Sequence, residues 1–98
     1  AQPLRFYYEV YDPTQAKTDG GKIRLLTSVA FFRAGIRVYE TPIIEATDLN
    51  AADRRAAVFQ VTVPPATLQP GYYLCQVNLI DDVAGTFAFP RLALYVRR

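Results

Sequence analysis

The sequence predicts an all-β fold, an antiparallel β-sandwich of six to seven strands, on three observations. Apolar and polar residues alternate with period 2 along most of the 98-residue chain. Turn-forming residues interrupt the alternation at roughly 8–12-residue spacing, as in sandwiches and barrels. No stretch of useful length repeats its apolar residues at helical spacing.

In Leu4–Tyr11 one face carries Leu4, Phe6, Tyr8 and Val10, and the other Arg5, Tyr7, Glu9 and Tyr11. That is a strand with one face in the core. Asp12-Pro13 closes it, and Asp19-Gly20-Gly21 punctuates the loop that follows. Lys22–Phe32 reads as a second, longer strand, rich in β-branched and aromatic residues. Arg33-Ala34-Gly35 is a short connection whose glycine supplies a positive φ, and Ile36–Thr41 returns as the partner strand. Pro42 ends regular pairing or confines it to an edge, with Ile43-Ile44 as a ragged continuation. Residues 46–54 are the one stretch suited to a short helical turn, capped by Thr47 or Asp48. Ala57–Val63 alternates again, with Phe59, Val61 and Val63 on one side, until Pro64-Pro65 stops it. Tyr72–Ile80 and Thr86–Val96 are further strands joined by the hairpin loop Asp81–Gly85.

The length fits a single domain over residues 1–98, and 51% hydrophobic residues supply one core. The net charge of +2, from 11 basic and 9 acidic residues, lacks the concentrated basic face of a nucleic-acid binder. No run approaches the ~20 apolar residues of a membrane helix, so direct membrane insertion is not expected. The single cysteine, Cys75, forms no internal disulfide, and the fold must stand on packing. The opening Ala1-Gln2-Pro3, in a chain without methionine, suggests a piece cut from a longer protein.

The most specific local signal is Leu68–Cys75. Pro70-Gly71 makes a tight turn before a strand, and Tyr73 stands two residues ahead of Cys75, so both point inward. In immunoglobulin-like domains a tyrosine so placed bonds its hydroxyl back to the corner it follows. The expected fold class is therefore an immunoglobulin-like (fibronectin III-like) sandwich. Phe59-x-Val61-x-Val63-Pro64, Leu68-x-Pro70-Gly71-x-Tyr73, Val77-x-Leu79-x-Asp81, Gly85 and a last strand ending at Val96 follow in order. With the aromatic-rich first strand and Val38-Tyr39-Glu40, this pattern resembles the β-sandwich domain found C-terminal to von Willebrand A-type domains in certain bacterial exported proteins. The resemblance covers most of the chain. It implies a structural or protein-interaction module in an extracytoplasmic or cell-envelope setting.

In a fibronectin-like strand order, Leu4–Tyr11 (B) and Ala57–Val63 (E) form one sheet, and the other four strands form the second. No strand precedes Leu4, so B is expected as an edge open to a strand from a neighbouring domain, another protein chain or a homo-oligomer. The same wiring gathers the aspartates (Asp12, Asp19, Asp48, Asp53, Asp81 and Asp82) in loops at one pole. Calcium wants six to eight oxygens. Aspartate also gathers in turns for its own reasons, and no metal is expected there.

Catalytic chemistry lacks its usual parts. There is no histidine, Cys75 has no partner base, and Ser28, the one serine, lies inside a strand. Gly20-Gly21 is not followed by the Lys-Ser/Thr of a phosphate loop. No enzyme activity and no cofactor are expected. Seven tyrosines and six phenylalanines exceed the needs of one small core. Parity places Tyr7, Tyr11, Tyr72, Leu74, Phe87, Phe89 and Tyr95 away from it, with Phe87, Phe89 and Leu74 as neighbours across the last two strands. Such aromatics mark a contact surface, for a protein or, alternatively, for a carbohydrate.

Overall fold

Two antiparallel sheets make up the computed structural model, which describes residues 3–15, 22–51, 53, 55–64 and 66–97. The strands run β1 (Leu4–Tyr11), β2 (Leu25–Arg33), β3 (Ile36–Glu40), β4 (Ile44–Ala46), β5 (Ala56–Val63), β6 (Gly71–Asp81), β7 (Thr86–Ala88) and β8 (Arg91–Val96). The small sheet pairs β1 with β5, from Leu4↔Val63 to Tyr11↔Ala56. The large sheet is built on β2 and β6, paired from Leu25↔Asp81 to Phe32↔Leu74. On the far side of β2 lie β3 and β4, and on the far side of β6 lie β7 and β8. The division of strands between sheets is the one expected from a fibronectin-like strand order. Among the described strands, β1 has β5 as its sheet neighbour and no other.

Several boundaries differ from the sequence expectation. The second strand begins at Leu25, not Lys22, although Ile23 is already buried. The last strand is interrupted rather than continuous, because Pro90 has no N–H to give the ladder. Its carbonyl still accepts from the Val77 N–H at 2.9 Å, and the pairing resumes beyond it without a slip, from Leu79↔Ala88 to Gln76↔Arg91. Pro42 likewise separates β3 from β4. There Thr41 fills the gap, donating its N–H to the Val29 carbonyl and accepting the Val29 N–H on Oγ1, both at 2.9 Å. No helix begins at Thr47 or Asp48; within 46–54 the described helical geometry is 3-10, at Asp53. The segment runs back along β5 instead, where Ala51 pairs with Ala56 and the Asn50 amide bonds both backbone groups of Val58. The Asp19-Gly20-Gly21 and Pro65 readings fall outside the described residues.

The turn between β2 and β3 holds Ala34 at φ 52° and Gly35 at φ 79°. Positive φ at both central residues is the hairpin geometry whose twist matches that of its strands.

The core lies between the sheets. Val29, Phe31, Val61, Val63, Leu68, Tyr73 and Cys75 form one buried cluster, and Ile23, Leu25, Ala57 and Phe59 a second nearer the aspartate loops. Phe6 of β1 meets Phe31 of β2 at 5.3 Å, bridging the sheets. Tyr8 bridges them with a polar contact. Thr27 Oγ1 donates to the Asn78 carbonyl at 2.8 Å, so the Tyr8 hydroxyl donates to Thr27 at 2.9 Å. Phe59, Val61, Tyr73 and Cys75, expected to face inward, are buried, and Val77, next on the same face of β6, is half-buried at the cluster's edge.

Ahead of β6, the Tyr73 hydroxyl donates to the Gln69 carbonyl at 2.5 Å. The Arg33 guanidinium lies over the Tyr73 ring, 5.5 Å from its centroid. Gly71 has φ 144°, and a Cβ there would come within 2.9 Å of Arg33. The positive φ favours glycine, whereas the guanidinium, at the end of a flexible side chain, can move aside.

Two stability outcomes follow from this packing. Phe59→Ala should cost ~3–5 kcal/mol by emptying a buried site, read as a lower urea midpoint at unchanged slope. Tyr73→Phe should cost about 1 kcal/mol, since the ring still packs and the hydroxyl bond is lost. Tyr72→Phe, at an exposed ring, should be nearly neutral; equal effects at 72 and 73 would contradict the assigned bond.

Candidate functional site

The outward side of the large sheet concentrates the exposed apolar residues. On β6, parity sends Tyr73, Cys75, Val77 and Leu79 inward, which leaves Tyr72, Leu74, Gln76, Asn78 and Ile80 outside. The pairing then fixes their neighbours. Tyr72 stands opposite Tyr95, Leu74 opposite Ala93, Gln76 opposite Arg91 and Ile80 opposite Phe87. On the β2 side, Leu74 faces Phe32, Gln76 faces Ala30, Asn78 faces Ser28 and Ile80 faces Leu26.

These rows make two apolar patches with a polar belt between them. Near the aspartate pole, Phe87 (70% exposed) and Phe89 have ring centroids 5.5 Å apart, beside Ile80 and Ile43. A hollow of about 70 Å³ lies between Ile43, Ile80 and Phe89. Near the other pole, Tyr72 (76% exposed) meets Tyr95 with centroids at 4.6 Å, next to Leu74 and Phe32. A larger open pocket of about 440 Å³ is lined there by Phe32, Tyr72, Leu74 and Arg91, with the Ala34-Gly35 turn. Ile80 and Leu74 are six residues apart on β6, about 20 Å along the strand.

The belt crosses four strands. Arg91 Nε donates to Gln76 Oε1 at 2.7 Å, and Gln76 Nε2 to Asn78 Oδ1 at 2.7 Å. Asn78 Nδ2 donates to Ser28 Oγ at 3.2 Å and to Glu40 Oε2 at 3.3 Å. Ser28 Oγ donates to Glu40 Oε2 at 2.8 Å, and Arg37 closes the row on Glu40 Oε1 at 2.9 Å. Ser28 is buried beneath its neighbours with its hydroxyl engaged on both sides, so it links strands.

The predicted contact residues therefore divide. Tyr72, Leu74, Phe87, Phe89 and Tyr95 share this face, but Leu74 abuts Ala93 and Phe32 and is not the cross-strand neighbour of Phe87 or Phe89. Tyr7 and Tyr11, each 63% exposed, lie on the outward face of the small sheet, on the other side of the molecule. Phe32, Arg91, Ile43, Ile80 and the belt escaped the sequence reading. The parity of Tyr72 and Leu74, continued to Gln76, Asn78 and Ile80, is the signal that points to part of it.

The loops at the aspartate pole do come together, through Thr14 N–H to Asp81 Oδ2 at 3.2 Å, Arg24 to Asp82 at 3.4 Å and Arg55 to Asp12 at 2.9 Å. Asp81 also accepts the Ala84 N–H at 3.1 Å. Their carboxylates are thus tied to cations and turn amides, and among the described residues no three acidic or cysteine side chains group around a metal position. Asp19 is outside the described residues. Among the same residues no helix is long and apolar enough to cross a membrane. Comparison with family models, curated proteins and solved structures yields no match.

Cys75 is fully buried, and burial pushes its thiol from 9.0 up to about 11. The unfolded chain therefore loses this proton first. Its contribution to stability is complete below about pH 9 and is lost as pH rises toward about 11. Tyr8, also raised by burial against the opposing hydrogen bond with Thr27, acts in the same direction. Urea midpoints measured between pH 8 and pH 10.5 (roughly the span of the thiol shift) should fall, and Cys75→Ala should make that fall shallower.

Proposed function

We propose that this chain is a non-catalytic interaction module of a larger, exported bacterial protein, built as an immunoglobulin-like sandwich. It holds a partner polypeptide on the outward face of its large sheet. The observation that carries this reading is the pair of exposed apolar patches on one face, anchored by Tyr72 and Phe87 on opposite sides of the polar belt. Contiguous exposed aromatics of this kind suit a protein contact, where aromatic anchors surrounded by polar groups dominate binding. The strand order and the Tyr73–Gln69 bond support the immunoglobulin-like assignment. The extracytoplasmic bacterial setting rests on the sequence resemblance.

A carbohydrate partner is the second reading. A sugar ring lies best on coplanar aromatics, whereas Tyr72 and Tyr95 meet at 47° and Phe87 and Phe89 at 43°. That tilt favours the polypeptide.

The test is photo-crosslinking with p-benzoylphenylalanine at positions 72, 87 and 62 in cells producing the protein. Positions 72 and 87 should give a discrete polypeptide adduct, and position 62, on the small sheet, none. Excess purified domain should compete the adduct away, while a Tyr72→Ser, Phe87→Ser double variant should not. Adducts of equal yield at 62, or glycan binding that Tyr72→Ala abolishes, would count against the reading.

A further inference from the structure

The pocket at the pole away from the aspartates is not evenly apolar. Phe32, Tyr72 and Leu74 form an apolar surround, with the small Ala34 and Gly35 of the β2–β3 turn at its rim. Arg91 is the charged side chain among the lining residues. Its Nε is spent on the neutral Gln76 Oε1. Among the described residues it has no carboxylate partner, and its remaining guanidinium N–H groups are available at the pocket wall.

The electrostatic setting around it is one-sided. This half of the molecule carries Arg5, Arg33, Arg37, Arg91 and Arg97, and its one described carboxylate, Glu40, is occupied by Arg37, Ser28 and Asn78. The other end holds Asp12, Asp48, Asp53, Asp81 and Asp82 together with Lys22, Arg24 and Arg55, so its charges are mixed. A partner approaching the pocket meets a field that favours negative charge. At about 440 Å³ the pocket is at the small end of ligand sites, the scale of one large side chain and its flanking groups.

We infer that this pocket receives an apolar side chain of an acidic partner polypeptide, with a carboxylate of that polypeptide bonding Arg91. The inference rests on the docking face proposed above and adds the chemistry of one anchor. The apolar side chain displaces water from between Phe32, Tyr72 and Leu74, and the carboxylate takes the fork of N–H donors that Gln76 leaves open. The hydrogen bond from Arg91 to Gln76 holds the guanidinium against the wall before the partner arrives, which reduces the ordering cost of binding.

The experiment is a chemical-shift titration of the labelled domain with three blocked tripeptides, Ac-Asp-Phe-Asp-amide, Ac-Asn-Phe-Asn-amide and Ac-Lys-Phe-Lys-amide, and with phenylacetate. The acidic peptide should shift Phe32, Tyr72, Leu74 and Arg91 and bind about tenfold tighter than the asparagine peptide, the scale of a charge-assisted hydrogen bond. The lysine peptide should bind more weakly than either. Arg91→Gln should remove the preference for the acidic peptide, while Lys22→Gln, the same charge change at the far pole, should keep it. Equal affinities for the acidic and asparagine peptides would overturn the inference, as would a preference that survives Arg91→Gln or shifts mapping elsewhere. Phenylacetate binding as tightly as the peptide would mark a site for small acids and overturn it too. If the preference is absent while the crosslinks at positions 72 and 87 persist, the anchor chemistry falls and the docking face stands.

Discussion

The pairing of β2 with β6 is the constraint from which the rest of the molecule is assembled. Eight residue pairs, Leu25↔Asp81 through Phe32↔Leu74, join segments far apart in sequence, and every other strand of the large sheet attaches to one of these two. Because side chains alternate, this register decides what is core and what is surface. With Val29 opposite Val77 and Phe31 opposite Cys75, the apolar sets of both strands face the small sheet. A slip of one residue in β6 would send Gln76 and Asn78 inward and Cys75 to water. The alternative is blocked chemically as well as sterically. Thr27 Oγ1 reaches the Asn78 carbonyl and Ser28 Oγ meets the Asn78 amide, so consecutive residues of β2 grip one residue of β6 from both faces.

The same register explains why an outward face rich in Tyr, Phe, Ile and Leu is divided. Gln76 and Asn78 fall midway along β6, and their partners Ala30 and Ser28 are small enough for neighbouring side chains to close over them. The belt from Arg91 to Arg37 then satisfies each polar group laterally, and no buried side-chain nitrogen or oxygen among the described residues lacks a hydrogen bond. A belt held this firmly presents fixed donors and acceptors. The apolar patches on either side become two separate footholds about 20 Å apart along the strand, where an unbroken greasy face would invite indiscriminate association.

Period-2 patterning made much of this legible in advance. The alternation of Leu4–Tyr11 and Ala57–Val63 placed their core faces, and the spacing of Tyr73 and Cys75 placed those of β6 and, by pairing, of β7 and β8. What escaped depended on relations between strands. That Leu74 falls opposite Ala93 and Phe87 opposite Ile80 is set by the offset of the β6 pairing, which no single strand encodes. Phe32 and Arg91 reach one pocket from opposite sides of β6, and neither is remarkable in its own segment. Parity alone also could not separate Tyr7 and Tyr11 from the other exposed aromatics, because it says that a side chain points out and not from which sheet. The turn expected over 46–54 shifted for a local reason: hydrogen bonding of Asn50 to β5 keeps a helix from starting at Thr47 or Asp48, and among the described residues of that segment 3-10 geometry appears only at Asp53.

The Asn50 side chain has a consequence for how this protein behaves when crowded with copies of itself. The β5 sequence, Ala56–Val63, carries no charge and combines Val, Phe and Thr, a composition prone to cross-strand stacking between molecules. Its backbone groups that point away from β1 belong to alternate residues, Ala56, Val58, Gln60 and Thr62. Ala51 occupies the first of these, and the Asn50 amide, donor and acceptor in one plane, occupies the second as a strand's peptide group would. An invading strand finds only Gln60 and Thr62 to template it, too short a run to hold an amyloid-like addition. One planar amide thus shields the β5 edge of the small sheet, and strand addition is left to the β1 edge, which has no described neighbour on its outer side.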